Sequence, residues 1–191
     1  MTLIVIAGFP DCVVAVADRR ISVERKRLYD EYNKLGIVAC KDARFAMAFT
    51  GLATSPIFRY QLDARTWPQR DHPQIDPKVP YNFAVGRWML VAVGSAARPA
   101  NYQLDGMIEG FRAAATAKWA ERGETAGACF CMAGFRYDAD HQSAQPFHAT
   151  VSNLDDPASD FVLVAVQSSG LSITRFARVG GELCRYGAVR G

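Results

Sequence analysis

The apolar pattern of this chain changes period twice, and that change restricts the fold more than any single residue does. From position 2 the run TLIVIA is apolar and mostly β-branched, GFPD supplies turn chemistry, and CVVAVAD follows as a second apolar run ending at Asp18. Runs of this kind bounded by Gly, Pro and Asp read as strands joined by a tight turn. NKLGIVACKDARFAMAFTG repeats the arrangement with a turn at 41–44, so two consecutive hairpins are expected before the chain passes Gly51. The period then lengthens. Ser55 is placed to cap a helix whose first residue is Pro56, which predicts a short helix over 55–67. The segment PQRDHPQIDPKVP at 68–80 carries four prolines and reads as an exposed loop inserted within the domain.

Two helical stretches come next, YNFAVGRWMLVAVGS and YQLDGMIEGFRAAATAKWAER. In the second, Leu104, Ile108, Phe111 and Ala115 recur at three to four residues and mark a core stripe. Beyond Gly123 the period returns to two. ACFCMAGFRYDADHQSAQPFHATVSN is a hairpin about a turn at 138–145, and FVLVAVQSSGLSITRFARVGG continues as strands broken at Ser168, Ser169 and Gly170. Strands on both sides of a helical middle imply a layered α+β domain, one unit spanning 1–191, since 191 residues leave little room for a second core.

Composition excludes several classes. Half of the residues are hydrophobic, as in a globular protein, and the net charge of +3 is too small and too dispersed to point to nucleic acid. The one basic cluster, RRISVERKR at 19–27, reads as a solvated loop between strands. Cys12, Cys40, Cys129, Cys131 and Cys184 form an odd set without CxxC spacing and read as small buried residues of a reducing compartment. His72, His141 and His148 are scattered, so no metal and no cofactor are expected. The N-terminus lacks the basic, apolar and small-residue regions of a secretory leader, and no apolar run approaches bilayer length. The expected setting is the cytoplasm, with no membrane partner.

Three polar residues interrupt the first hairpins at equal intervals: Thr2, Asp18 and Lys34, sixteen residues apart. Each stands at the end of an apolar run, where a rigid sheet can present side chains to a cleft. If Met1 is removed, Thr2 carries both a hydroxyl nucleophile and a free α-amine. That amine, with an ordinary pKa of about 7.7 to 8.0, accepts the hydroxyl proton near neutral pH. The ammonium of Lys34 eases loss of that proton, and the carboxylate of Asp18 holds Lys34 charged and in place. Gly51, closing AMAFTG, offers a backbone N–H to the oxyanion of a tetrahedral intermediate, a contact worth about 3 to 4 kcal/mol.

These residues and their intervals resemble the proteasome β-subunits and their bacterial proteasome-like relatives, N-terminal nucleophile hydrolases with a catalytic threonine. The Asp stands in VAVADRR, similar to the family's apolar-A-D-x-R context, and a Gly closes a later strand in AMAFTGLA. Three named residues at set positions arise by chance in roughly one chain in ten thousand. The resemblance covers about the first sixty residues well, and the helical middle and the AGFRYDAD hairpin by order of elements. It implies a four-layer αββα sandwich of antiparallel sheets, with Thr2 as nucleophile, Asp18 and Lys34 as its supporting pair and Gly51 as oxyanion donor. It also implies that Ser22 and Ala53 bind substrate backbone while Ile21, Tyr32 and Phe49 border the primary specificity pocket. The apolar character of Ile21, Phe49 and Ala53 then suggests a hydrophobic side chain before the scissile bond.

Family members continue past the position of Tyr186 with a glycine-rich turn, two helices and closing strands. This sequence reads RYGAVRG there, so the expected sandwich lacks its C-terminal helical layer unless further chain or a partner covers that face. The family's later active-site serine has no secure counterpart; Ser168 and Ser169 are candidates but read first as turn residues. The resemblance implies a threonine endopeptidase acting on peptides, assembled as a homo-oligomeric ring or a related assembly, with no ATPase partner specified by the residues. Two alternatives stay open: an amidase acting on a small molecule by the same nucleophile, and a non-catalytic proteasome-like structural subunit that keeps Met1.

Overall fold

Alternation along Val13–Ala17 places Val13, Ala15 and Ala17 against one apolar layer and leaves Val14 and Val16 about half exposed on the opposite face. The computed structural model that shows this describes residues 3–9, 11–19, 21–23, 26–29, 33–53, 84–122, 126–166, 172–179 and 182–186. Among them are eleven strands and two helices. They are β1 (Leu3–Gly8), β2 (Val13–Ala17), β3 (Ile21–Val23), β4 (Lys26–Tyr29), β5 (Leu35–Ala39), β6 (Ala43–Gly51), α1 (Val85–Ala97), α2 (Leu104–Arg122), β7 (Ala128–Tyr137), β8 (Ala144–Ser152), β9 (Val162–Val166), β10 (Ser172–Val179) and β11 (Glu182–Tyr186). The chain is therefore mixed α+β, as the return of the two-residue period after the helices predicted, and its described ladders are antiparallel. One sheet runs β11-β10-β1-β2 and another β5-β6-β7-β8-β9.

The central strand β7 is buried on both faces because its sequence is apolar at every position from Ala128 to Ala133. Phe130 and Met132 join Phe45, Met47 and Phe49 of β6 against α1 and α2, whereas Cys129, Cys131 and Ala133 share the opposite layer with Ala48 and with Ile4 of β1. The helical stripe packs as the sequence predicts: Leu104, Ile108, Phe111 and Ala115 are buried, joined by Met107 and Trp119. Phe111 meets Phe130 edge-on at 5.0 Å, and Trp119 meets Phe161 at 5.1 Å. Edge-to-face pairs of this kind add about 0.5 to 1.5 kcal/mol beyond their buried area.

The turn between β5 and β6 secures this helical layer. Cys40 N–H donates to the Ala43 carbonyl at 2.8 Å, closing a turn over Lys41 and Asp42, so β6 takes in the last two residues of the expected 41–44 turn. Asp42 Oδ1 then accepts the N–H of Leu104 at 2.8 Å, capping α2 from another element. Lys41 donates through its backbone to the Tyr102 carbonyl and through Nζ to Asn101, both at 2.7 Å. Asn101 and Tyr102 have positive φ, which is why α2 begins at Leu104 and not at Tyr102 as its composition suggests. Asp42→Ala is expected to cost about 1 to 2 kcal/mol. In a chain of this size thermal unfolding should then show a fall in Tm of about 2 to 8 °C.

Two expectations are corrected. The basic segment at 19–27 is not a plain loop: β3 and β4 pair antiparallel, with Ile21 opposite Tyr29 and Val23 opposite Lys26, and the register shifts between Ile21 and Ser22. Ile, Val and Tyr favour a ladder, and the interleaved charges hid that preference. Cys12, expected to be buried, is exposed beside the β1–β2 turn, whereas Cys40, Cys129 and Cys131 are buried. The helix expected at 55–67, the loop at 68–80, and Ser168 and Ser169 lie outside the described residues.

On β8, neither ring nitrogen of His148 reaches solvent or a hydrogen-bond partner, and burial pushes its pKa below the ordinary histidine value. The folded state therefore holds His148 neutral, while the unfolded chain takes up a proton from about pH 6.5 downward. The unfolded state binds more protons in that window, so stability falls as pH drops below about 6.5. Tm measured against pH should decline more steeply for the natural chain than for His148→Phe, and parallel profiles would refute the assignment.

Candidate functional site

Asp18 follows β2 directly and Lys34 precedes β5 directly, so both occupy strand ends. Sixteen residues separate them, yet Lys34 Nζ lies 2.7 Å from Asp18 Oδ1. The lysine is 2% exposed, and the side chain of Asp18 is 28% exposed. A buried ammonium is costly unless a carboxylate and further hydrogen bonds compensate it, and Asp18 supplies that carboxylate. The backbone also fastens it: the Lys34 carbonyl accepts the N–H of Phe49 at 3.2 Å, and Asn33 Oδ1 accepts the N–H of Leu35 at 3.1 Å.

Gly51 ends β6 with φ of +93°, a conformation that favours glycine. A Cβ there would lie 2.3 Å from the Gly127 carbonyl oxygen and 2.9 Å from Ala128 Cα, so no other residue fits without backbone movement. The direction of its amide follows from the ladder. Leu52 N–H donates to Gly127 on the β7 side at 2.9 Å, whereas Phe49 N–H donates to Lys34 on the β5 side. Amides two residues apart on a strand point the same way, so the Gly51 N–H points to the side of β6 from which Lys34 enters β5. The ion pair and this amide thus belong to the same end of the five-stranded sheet.

The other expected residues are distributed as follows. Thr2 and Tyr32 lie outside the described residues; β1 begins at Leu3, and its ladder with β2 runs up to the pair Ile4 and Ala17, next to Asp18. Ile21 and Ser22 stand at the register shift of β3, a place where such irregularities re-aim a strand. The ring of Phe49 is 1% exposed and packs in the helix-facing core, tilted to Phe130 with centroids 6.3 Å apart. Ala53 is partly buried against the same core, and its carbonyl accepts the N–H of Val85 at the start of α1.

No sequence pattern singles out Asn153, which the fold places beside this sheet end. It is 3% exposed; its Oδ1 accepts the Ala128 N–H at 2.8 Å, its Nδ2 donates to the Pro157 carbonyl at 3.2 Å, and its own N–H donates to the Ala128 carbonyl at 3.1 Å. A polar residue after an apolar strand was the only available signal, and it is a common one.

The buried thiols offer different chemistry. Cys129 and Cys131 lie with sulfurs 3.7 Å apart, and the pKa of Cys131 is raised well above that of an ordinary thiol by its hydrogen bond with Cys129 and by burial. A thiol held protonated is a poor nucleophile, so Cys131 serves as small core filling, and Cys129 is buried in the same layer. Among the described residues, no three His, Cys, Asp or Glu side chains group to hold a metal, and no helix is long and apolar enough to cross a membrane.

One end of the five-stranded sheet thus carries a buried ammonium and a backbone N–H, two groups of the kind that stabilise negative charge in acyl transfer. No protein-family model matches the chain, and no curated protein matches it.

Proposed function

We propose that the chain is a threonine-type peptidase of the N-terminal nucleophile kind, related to proteasome β-subunits and their bacterial relatives. Its two large sheets form the inner layers of a four-layer αββα sandwich. The observation that carries this reading is the buried Lys34–Asp18 pair at strand ends beside the start of β1, facing the side of β6 to which the Gly51 amide points.

Chain connectivity supports the nucleophile, because Thr2 is bonded to Leu3, the first residue of β1, and β1 pairs with the strand that delivers Asp18. After removal of Met1 the free amine takes the proton of Thr2 Oγ1 as that oxygen attacks the peptide carbonyl. The Lys34 ammonium stabilises the developing negative charge, and the Gly51 N–H donates to the oxyanion. Collapse of the tetrahedral intermediate breaks the C–N bond, and the leaving amine takes the proton from the Thr2 amine. Water then hydrolyses the acyl ester and restores the hydroxyl. Ser22 and Ala53 hold the substrate backbone, and Ile21 and Tyr32 border a pocket for a hydrophobic side chain, whereas Phe49, buried under the helices, does not line it. The working form is a cytoplasmic homo-oligomer of ring or related type.

Intact-mass analysis with N-terminal sequencing of the protein from its natural host tests the reading. A mature terminus at Thr2 is expected. Quantitative retention of Met1 would make the Thr2 nitrogen an amide, unable to act as base, and would leave a non-catalytic subunit.

A further inference from the structure

The Gly51 amide is only as well placed as the backbone that forces its conformation, and that backbone is the 127–128 segment at the start of β7. Gly127 stands between two neighbours. On one side its carbonyl oxygen receives the Leu52 N–H at 2.9 Å and lies where a Gly51 Cβ would collide with it. On the other side a Cβ on Gly127 would meet the Asn153 carbonyl oxygen and Leu154 Cα, each at 3.0 Å, and Asn153 Oδ1 at 3.3 Å. Three backbone segments are thus packed side by side, with the Asn153 side-chain oxygen set against the middle one, and a shift of that middle segment bears on Gly51 directly.

Asn153 fixes that middle backbone. The Ala128 N–H and C=O are both bonded to it, one through the side-chain oxygen at 2.8 Å and the other through the backbone N–H at 3.1 Å. Its amide group is anchored in turn by donation to the Pro157 carbonyl at 3.2 Å. A leucine in this place would leave a buried N–H without an acceptor, so the polar residue has a specific task that its apolar surroundings do not explain.

We infer that Asn153 is a positioning residue for the oxyanion-binding amide: by clamping Ala128 it sets Gly127, and Gly127 sets the direction of the Gly51 N–H. The inference rests on the peptidase reading for its catalytic consequence but not for its structural one. Displacing an oxyanion donor by a fraction of an ångström weakens transition-state contacts more than substrate binding, so the loss should appear in kcat and not in KM.

The test uses the mature full-length protein, a fluorogenic peptide amide with a hydrophobic residue before the scissile bond, and 15N-glycine-labelled samples in which the Gly51 resonance is followed. Asn153→Ala is expected to lower kcat by about 10- to 100-fold with KM changed less than about twofold, and to shift the Gly51 amide resonance. Asn153→Asp keeps an oxygen for the Ala128 N–H and should restore the resonance and most of kcat. Asp42→Ala, which removes the cap of α2 elsewhere in the molecule, controls for general destabilisation and should leave both readouts in place. A Gly51 resonance unmoved in Asn153→Ala overturns the inference, as does an equal fall of kcat in Asp42→Ala. If the natural chain turns over no peptide, the peptidase reading fails while the Gly51 resonance still decides the positioning role.

Discussion

Thr2→Ala should abolish peptide hydrolysis, with kcat falling by at least about 10⁴-fold, because the hydroxyl that forms the acyl bond is gone while the oxyanion site remains. The same variant should lose covalent labelling by a peptide epoxyketone, seen as the absence of the added mass on the intact chain. Thr2→Ser keeps a hydroxyl and an amine on adjacent carbons and should keep labelling at a reduced rate. Folding should be unaffected by either change, since each removes only a few atoms from a residue that precedes β1 in the chain, and equal Tm values check this. Undiminished labelling of Thr2→Ala would refute the nucleophile. A chain that retains Met1 should behave like Thr2→Ala even with the hydroxyl present, because an amide nitrogen cannot accept its proton.

The second large effect concerns the ion pair and separates stability from catalysis. Asp18→Ala leaves the buried Lys34 ammonium without its carboxylate partner at 2.7 Å. Removing one partner of a buried pair costs about 3 to 5 kcal/mol, and the partial exposure of Asp18 places the expected loss near the lower figure, about 3 kcal/mol. For a chain of this length that is a fall in Tm of about 6 to 12 °C. Lys34→Met replaces the ammonium by an apolar chain of similar length and leaves only the partly exposed carboxylate, so it should cost about 1 kcal/mol or less. The double variant should be more stable than Asp18→Ala alone, an outcome that additive losses would exclude. All three should lack peptidase activity. That combination is the signature of a charge retained for chemistry at the expense of stability, and an active, stable Lys34→Met would remove the lysine from the mechanism.

Local pattern accounted for some elements and not for others. The stripe from Leu104 to Trp119 is visible because a helix repeats its buried face every three to four residues, and the strand at 13–17 is visible because alternation shows in five residues. The β3–β4 ladder was not legible, since Ile21, Val23 and Tyr29 are scattered among cations whose charge suggests solvent. The cap that Asp42 places on α2 was equally hidden, since it joins residues 62 positions apart. At the site, the type and interval of Asp18, Lys34 and Gly51 were readable, whereas Asn153 looks like any polar residue after a strand until its bonds to Ala128 are seen.

By itself the sequence determined the order of strands, helices and strands, the core stripe of α2 and the residue types and intervals at positions 2, 18, 34 and 51. These depend on periodicity and residue chemistry, which are local. Only the tertiary structure decided which strands pair beyond the hairpins: β1 with β10 from the far end of the chain, and β6 with β7 across the helices. It alone brought Lys34 within 2.7 Å of Asp18, turned the Gly51 amide towards the same sheet end and set Asn153 behind it. The physical reason is that ladder partners, and the burial that makes a lone charge costly, are relations between distant segments, and such relations leave no periodic trace in either segment alone.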